Sequence, residues 1–229
     1  GDRYKKREIE LSCRRGYNRT MQSTIPVTTV VRRTIIDMAL RRQRPGSGSS
    51  IAFLTERTTL MTWPDLSTVL TAVPWAVVGA VATRLYMPER LTRDLDIAIW
   101  AGDSAVVHRK LAAAGFVNLG DLSIGGATWE TPNGQLIDII EGRESWWPQA
   151  LAEAQTNRDA VGLPILPLSY LIYMKMQASR PQDLGDLARM LGQADDDSLN
   201  KVRAFFRQYS PDDLEDLESL IKLGKLETQ

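Results

Sequence analysis

The sequence predicts an α+β fold in which a small mixed β-sheet is flanked by helices and followed by a helical C-terminal part. Short β-branched runs alternate with helical segments over residues 51–165, and an Asn-Gly turn between two such runs is typical of a β-hairpin. Residues 166–229 carry only helical spacing, and residues 1–50 are basic and end in a Ser/Gly-rich linker. We therefore divide the chain into a basic extension (1–50), an α/β core (51–165) and a helical part (166–229).

Turn-forming and helix-ending residues place the elements in order along the chain. β-branched residues at 25–33 favour a short strand, and the apolar spacing of residues 34–42 favours a helix. Gly115 stops a helix, and Asn133-Gly134 turns the chain between two strands. The other predicted elements are helix 65–71, strand 75–78, helix 80–87, strand 94–100, helix 103–114, strands 116–119, 128–131 and 135–140, and helices 168–178, 181–191, 198–209 and 211–223.

The distribution of charge separates the basic extension from the remainder. The 229 residues carry 28 Lys and Arg and 28 Asp and Glu, so the formal net charge is zero. Residues 1–50 hold 12 basic and 4 acidic side chains, a balance of +8, so residues 51–229 carry −8. A uniformly basic nucleic-acid surface is therefore excluded, whereas a local basic groove or the extension itself stays open to such a partner.

Cysteine and histidine usage restricts the metal sites that the chain can build. Cys13 and His108 are each the only residue of their type, so an intramolecular disulfide, a cysteine-based zinc cluster and a multi-histidine site are excluded. Any metal must then be held by carboxylates, which favour Mg²⁺ or Mn²⁺. No apolar run approaches the roughly 20 residues of a membrane span, so we expect a cytoplasmic protein with no membrane partner.

Three aspartates and a glycine indicate phosphoryl or nucleotidyl transfer. Asp94 and Asp96 open the predicted strand 94–100, and side chains two residues apart on a strand project from the same face. Two carboxylates held together favour a cation between them. Asp138, between apolar neighbours on a later strand, fits as a further metal ligand and as the acceptor of a proton from an attacking hydroxyl. Gly79, at a strand-to-helix turn, leaves backbone N–H groups open as a phosphate cradle.

This pattern resembles the minimal nucleotidyltransferases of the DNA polymerase β superfamily, and among them the AbiEii-type and MenA-like toxins of bacterial toxin–antitoxin pairs. The matching residues are Gly79, Arg90, Thr92, Asp94, Asp96 and Asp138. The resemblance implies a nucleotidyltransferase fold, two Mg²⁺ ions held by the three aspartates, and transfer of a nucleoside monophosphate from an NTP to a hydroxyl. The implied acceptor is RNA such as a tRNA end, a protein side chain, or an aminoglycoside-like small molecule. Ala80 departs from the family's usual Gly or Ser, which puts nucleotide binding and activity in doubt.

A second match lies in the helical part of the chain. The family shows a helix with Lys, then Arg, then Asp opening a second helix, and Lys175, Arg180, Asp183 and Asp186 fit this order. Lys175 is expected to reach nucleotide phosphates, and Arg180 to clamp them or to pair with Asp183. A solvated helix pair with ordinary ion pairs explains the same residues when they are considered alone. The predicted nucleotide-binding residues are Gly79, Ala80, Arg90, Thr92, Lys175, Arg180 and Asp183.

The basic extension has a resemblance of its own. Residues 25–40 are similar to a segment towards the C-terminus of AbiEi-type antitoxins, through Val27, Thr28, Arg33, Thr34 and Asp37. The resemblance implies a remnant of, or a fusion to, an antitoxin coding region, and an antitoxin protein as a partner. A chance strand–helix segment is the alternative.

Three further interpretations stay open at this point. The chain is a catalytically inactive module that binds a nucleotide or a partner protein, or it is a nucleotidyltransferase that modifies a small molecule such as an antibiotic. In the third, a DNA- or RNA-binding regulator acts through residues 1–50. The sequence names neither the NTP nor the acceptor.

Overall fold

The computed structural model of the chain describes residues 29–42, 64–87 and 95–228. These ranges contain five strands: β1 (Trp75–Val78), β2 (Leu95–Trp100), β3 (Val117–Asp121), β4 (Gly126–Glu130) and β5 (Leu136–Gly142). They also contain eight α-helices: α1 (Thr29–Arg42), α2 (Gly79–Ala82), α3 (Ser104–Ala113), α4 (Trp147–Ala154), α5 (Leu168–Ala178), α6 (Pro181–Gln193), α7 (Asp196–Tyr209) and α8 (Leu214–Thr228). Short 3₁₀ turns cover Thr83–Leu85, Ala101–Asp103 and Pro211–Asp213.

The five strands form one mixed sheet in the order β1-β2-β5-β4-β3. Strands β2 and β5 are parallel, and the other neighbouring pairs are antiparallel. The hairpin from β4 to β5 turns at Gly134, whose φ of +81° is the left-handed conformation that the Asn-Gly signal predicts. The predicted α+β class, with a small mixed sheet flanked by helices and a helical C-terminal part, is confirmed.

Side chains alternate along each strand and so project from both faces of the sheet. Helices cover each of these faces. On one face, His108 of α3 packs against Trp129 of β4 with ring centroids 5.4 Å apart. On the other face, Trp147 of α4 lies so close to Gly142 of β5 that a Cβ on Gly142 would meet the indole ring at 2.2 Å. Asp138 lies four residues before Gly142 on β5, so it emerges on the face that α4 covers.

One continuous core joins the sheet to the C-terminal helices. Helices α6 and α8 pack backbone against backbone, because Gly192 and Gly224 leave no room for a Cβ between them. Trp146 stacks on Tyr170 of α5, and Phe205 of α7 lies edge-on to both rings. The division into an α/β core and a helical part stays a prediction. None of the helices in the described ranges is both long and apolar enough to cross a membrane.

The structure corrects the predicted start of the first element. Residues 29–33 belong to helix α1 and not to a strand, and residues 25–28 lie outside the described ranges. β-branched residues lower helix propensity only slightly, so tertiary contacts decide the outcome. Helix α1 buries Arg32 and Ile36, which lie one helical turn apart against the rest of the molecule.

Three other elements differ from the prediction. Residues 65–71 form turns, because the segment makes one i→i+4 bond, from Leu70 to Leu66, before Ala72 leaves the helical region with a φ of +63°. The helix after Gly79 is a single turn that continues as a 3₁₀ turn, since the Thr83 hydroxyl bonds back to a carbonyl three residues earlier. Helix α4 was not predicted, although Pro148 near its start favours a helix N-terminus.

Candidate functional site

A row of in-register residues crosses the sheet at one level. Val78 of β1 pairs with Asp96 of β2, Asp96 pairs with Asp138 of β5, and Asp138 pairs with Thr128 of β4. Directly opposed residues project from the same face of a sheet. The register therefore brings together two of the three predicted acids on adjacent strands. Asp94, the third, lies outside the described residues, as do Arg90 and Thr92.

Gly79 lies directly against Asp96. The glycine has a φ of +66°, in the left-handed region that favours glycine. A Cβ placed on Gly79 would stand 1.9 Å from Oδ2 of Asp96, so the carboxylate occupies the space that any side chain at position 79 would need. The Gly79 turn and the carboxylate of Asp96 therefore lie in direct contact. Gly79 and Ala80 begin the one-turn helix α2, and their contact with phosphate stays a prediction.

Asp138 is the more enclosed of the two acids, with 8% of its surface exposed. Its Oδ1 accepts a hydrogen bond from the Thr128 hydroxyl at 2.6 Å, across the antiparallel pair β4–β5. A hydroxyl donor fixes the orientation of the carboxylate and leaves its negative charge in place. Thr128 did not emerge from the sequence, because its role depends on the register of a strand formed ten residues away from Asp138.

The turn between α5 and α6 brings a cation towards the acids. Arg180 donates from Nε to Oδ2 of Asp183 at 2.7 Å. This ion pair is one of the two roles that the sequence predicts for Arg180. This hydrogen bond raises the pKa of the Arg180 guanidinium, and the negative charge of Asp96 contributes in the same direction. Arg180 therefore lies in the electrostatic field of Asp96. Its side chain is 45% exposed, so it remains open to an anionic ligand.

Lys175 is buried between α5 and α6, with 5% of its surface exposed. Its Nζ lies 3.1 Å from Oδ1 of Asp183 and 3.0 Å from Oδ2 of Asp186. The ammonium group is thus neutralised by two buried carboxylates of the next helix. The three residues hold the two helices together and, through Asp183, orient Arg180. Contact of Lys175 with a phosphate stays a prediction.

The segment after Gly79 is bound by hydrogen bonds to the loop that precedes α5. Arg84 donates from Nε to Asp159 at 2.7 Å. The Tyr86 hydroxyl donates to the Leu166 carbonyl at 3.1 Å and accepts from Nδ2 of Asn157 at 2.7 Å. Burial raises the pKa of Tyr86 to about 12, so this phenol stays protonated and can donate at neutral pH. These contacts fix the chain that leaves the Gly79 turn.

The residues present suit a divalent cation of the magnesium type in the part that the structure describes. Asp96 and Asp138 supply carboxylate oxygens, the hard donors that Mg²⁺ and Mn²⁺ accept, and both acids belong to the same level of the sheet. Within the described ranges no group of three or more His, Cys, Asp or Glu side chains is placed to hold a metal ion. A complete carboxylate set therefore requires Asp94.

Comparison with known proteins finds similarity only among solved structures. No protein-family model and no curated protein matches the chain. The crystal structure of ANT(2″)-Ia in complex with adenylyl-2″-tobramycin is 13% identical, with a TM-score of 0.35, over 84% of this chain and 97% of that chain. The solution structure of the antibiotic-resistance factor ANT(2″)-Ia is 14% identical, with a TM-score of 0.36, over 83% of this chain and 92% of that chain.

TM-scores this low are too weak to assign an activity, an acceptor or a site residue to this chain. Neither match concerns an AbiEii-type toxin or an antitoxin segment, so those predictions gain no support from the comparisons.

Proposed function

We propose that the chain is a metal-dependent nucleotidyltransferase that moves a nucleoside monophosphate from an NTP to a hydroxyl acceptor. The observation that carries the proposal is the in-register pair of Asp96 and Asp138, with the Gly79 turn directly against Asp96. Two like charges on adjacent strands are unfavourable unless a cation or a proton offsets them. Such a pair beside a tight glycine turn is typical of a site that receives a charged ligand.

Each residue of the proposed site has a distinct role. Asp94, Asp96 and Asp138 would hold Mg²⁺, which when bound neutralises phosphate charge and polarises the phosphoryl group. Asp138, oriented by Thr128, accepts the proton of the attacking hydroxyl. The hydroxyl oxygen forms a bond to the α-phosphorus, the bond from that phosphorus to the bridging oxygen breaks, and pyrophosphate leaves. Arg180 binds phosphate oxygens beside Asp96.

The acceptor is the open part of the proposal, and we infer a small-molecule or RNA hydroxyl. Residues 51–229 carry a balance of −8, which disfavours a broad polyanion surface and suits a cationic acceptor. Tobramycin, the compound found adenylylated in the ANT(2″)-Ia complex, is therefore a sensible first acceptor to assay. The toxin role, with an RNA acceptor, is the second arm of the same assay.

Turnover of α-³²P-labelled NTPs tests the proposal. The purified chain is incubated with Mg²⁺ and each of the four NTPs, together with tobramycin or a total RNA pool. We expect label transfer by the wild type and a loss of about 10²-fold or more in Asp96→Asn and Asp138→Asn. Asp121→Asn, an exposed acid at the end of the edge strand β3, is the matched control and keeps full activity. Equal transfer by all four proteins would place the chemistry elsewhere.

A further inference from the structure

The C-terminal helices contain a pocket that holds one guanidinium group. Arg32 of α1 is 4% exposed, and its Nε donates to Oδ2 of Asp216 at 2.8 Å. One terminal nitrogen donates to Asp213, and the other donates to the Ser179 hydroxyl at 3.2 Å. All three nitrogens of the group therefore have a partner on residues more than 140 positions away in the chain.

The pocket is held in place by contacts of its own. The second carboxylate oxygen of Asp213 accepts from the Ser210 hydroxyl at 2.6 Å and from the Gln177 side chain at 3.1 Å. Asp216 lies on the same side of the start of α8 and is 1% exposed. Two carboxylates therefore face one guanidinium, an arrangement that matches a planar, forked donor better than a point charge.

The occupant is a 14-residue helix that packs against the core through Ile36 and, partly buried, Ile35, Ala39 and Leu40. Arg32 and Ile36 are its two buried side chains, at positions i and i+4 on one face. Val30 and Val31 on the other side of the helix are 76% and 49% exposed. Arg33 adds an ion pair at the rim of the pocket, where its side chain is 40% exposed. The guanidinium of Arg32 is therefore the buried polar contact of a helix whose remaining contacts are apolar or at the rim.

The pocket is connected to the proposed active site through Ser179. This buried residue has a φ of +47°, an unfavourable conformation for a side chain that is not glycine. Ser179 ends α5 and immediately precedes Arg180, and its hydroxyl accepts from Arg32 and donates to the Met176 carbonyl. The bond from Arg32 therefore supports the turn that carries Arg180, a guanidinium whose pKa is raised mainly by its hydrogen bond to Asp183 and in part by the charge of Asp96.

We propose that this pocket is a recognition site for a helix that presents an arginine followed four residues later by an aliphatic side chain. Its occupant is helix α1 of this chain, and docking of α1 sets the conformation of the α5–α6 turn. Arg32 is thus a positioning residue for Arg180. The docking step stands by itself, whereas the effect on nucleotide binding rests on the function proposed above.

Hydrogen exchange on the full-length chain tests the docking step. We expect Arg32→Ala to speed exchange at the Ser179 and Asp183 amides, which bond to Lys175 and Arg180 carbonyls, by at least ~10-fold. A synthetic peptide of residues 29–42, added in excess, should restore protection, and the same peptide carrying Arg32→Ala should not. Arg41→Ala, an exposed arginine of the same helix, is the control and should change exchange less than 2-fold, on the order of surface substitutions. Unchanged protection in Arg32→Ala, or no restoration by the peptide, overturns the proposal.

Two additional readouts keep the test decisive. If Arg32→Ala fails to fold, Arg32→Lys keeps the charge but cannot make three hydrogen bonds in a fork, and it should show the same local loss of protection. The KM for NTP should rise in Arg32→Ala and fall again with the peptide. An unchanged KM with altered exchange overturns the coupling and leaves the docking. Absence of turnover in the wild type refutes the proposed function, while the exchange result still decides whether α1 docks.

Discussion

The sheet and the C-terminal helices bury carboxylates in opposite ways. In the sheet, Asp96 and Asp138 are directly paired across parallel strands, so like charges are neighbours. In the helices, Lys175 lies between Asp183 and Asp186, so opposite charges are neighbours. Like charges in register lower stability and favour the arrival of a cation, whereas a satisfied ion pair fixes the packing of two helices. The first arrangement suits ligand binding, and the second suits structural support.

Removing the cation of the helical network should produce the largest loss of stability. Lys175→Met leaves Asp183 and Asp186 buried beside each other without their shared ammonium group. We expect the free energy of unfolding to fall by about 3–5 kcal/mol in chemical denaturation. Lys222→Met, which alters an exposed lysine of α8, is the matched control and should change stability by less than about 0.5 kcal/mol. An equal change in both variants would contradict the structural role of Lys175.

The Gly79 turn offers a second way to separate the two regions. Gly79→Ala and Gly162→Ala both introduce a side chain at positive φ, which costs about 1–2 kcal/mol. At Gly162 nothing lies within 4 Å of the new Cβ, whereas at Gly79 it would collide with the Asp96 carboxylate. We therefore expect Gly79→Ala to lose more stability than Gly162→Ala and to abolish nucleotidyl transfer. Thermal unfolding and the labelled-NTP assay measure both effects, and equal losses would refute the close approach of Gly79 to Asp96.

The smallest expected change in stability separates the acids of the sheet from those of the helices most specifically. Asp138→Asn keeps an acceptor oxygen for the Thr128 hydroxyl and removes one of two neighbouring negative charges, so it should change the free energy of unfolding by no more than about 0.5 kcal/mol in metal-free buffer. Asp183→Asn removes the negative charge that pairs with Lys175 and Arg180. It should lower the free energy of unfolding by about 1.5–3 kcal/mol. Denaturation in the presence of a chelator gives both values. A loss of stability in Asp138→Asn as large as in Asp183→Asn would show that Asp138 is a structural acid.

The sequence predicts the sheet side of the molecule well because its signals are local. The alternation of β2 places Asp96 on one face, and the Asn-Gly turn fixes the β4–β5 hairpin on which Asp138 lies. The left-handed turn at Gly79 is also readable, since a glycine between a strand and a helix commonly marks such a conformation. The position of Asp94 stays a prediction.

The sequence predicts the four C-terminal helices but not the contacts that hold them and α1 together, because those contacts join distant residues. Arg32 reaches Asp213 and Asp216 across more than 180 positions, and no local pattern indicates this contact. For the same reason residues 29–33 were predicted as a strand, since β-branching was the only signal available. Lys175 matched a motif by its order in the chain, whereas burial between two acids depends on how α5 packs against α6.

Binding of Mn²⁺ is the most direct test of the claim that Asp96 and Asp138 form a cation site. Electron paramagnetic resonance would follow free Mn²⁺ in titrations of the wild type, the Asp96→Asn/Asp138→Asn double variant and the Asp121→Asn control, each with a non-hydrolysable NTP analogue. The account predicts binding by the wild type and the control, and an affinity at least ~10-fold weaker in the double variant. Equal Mn²⁺ affinity in all three proteins would contradict it.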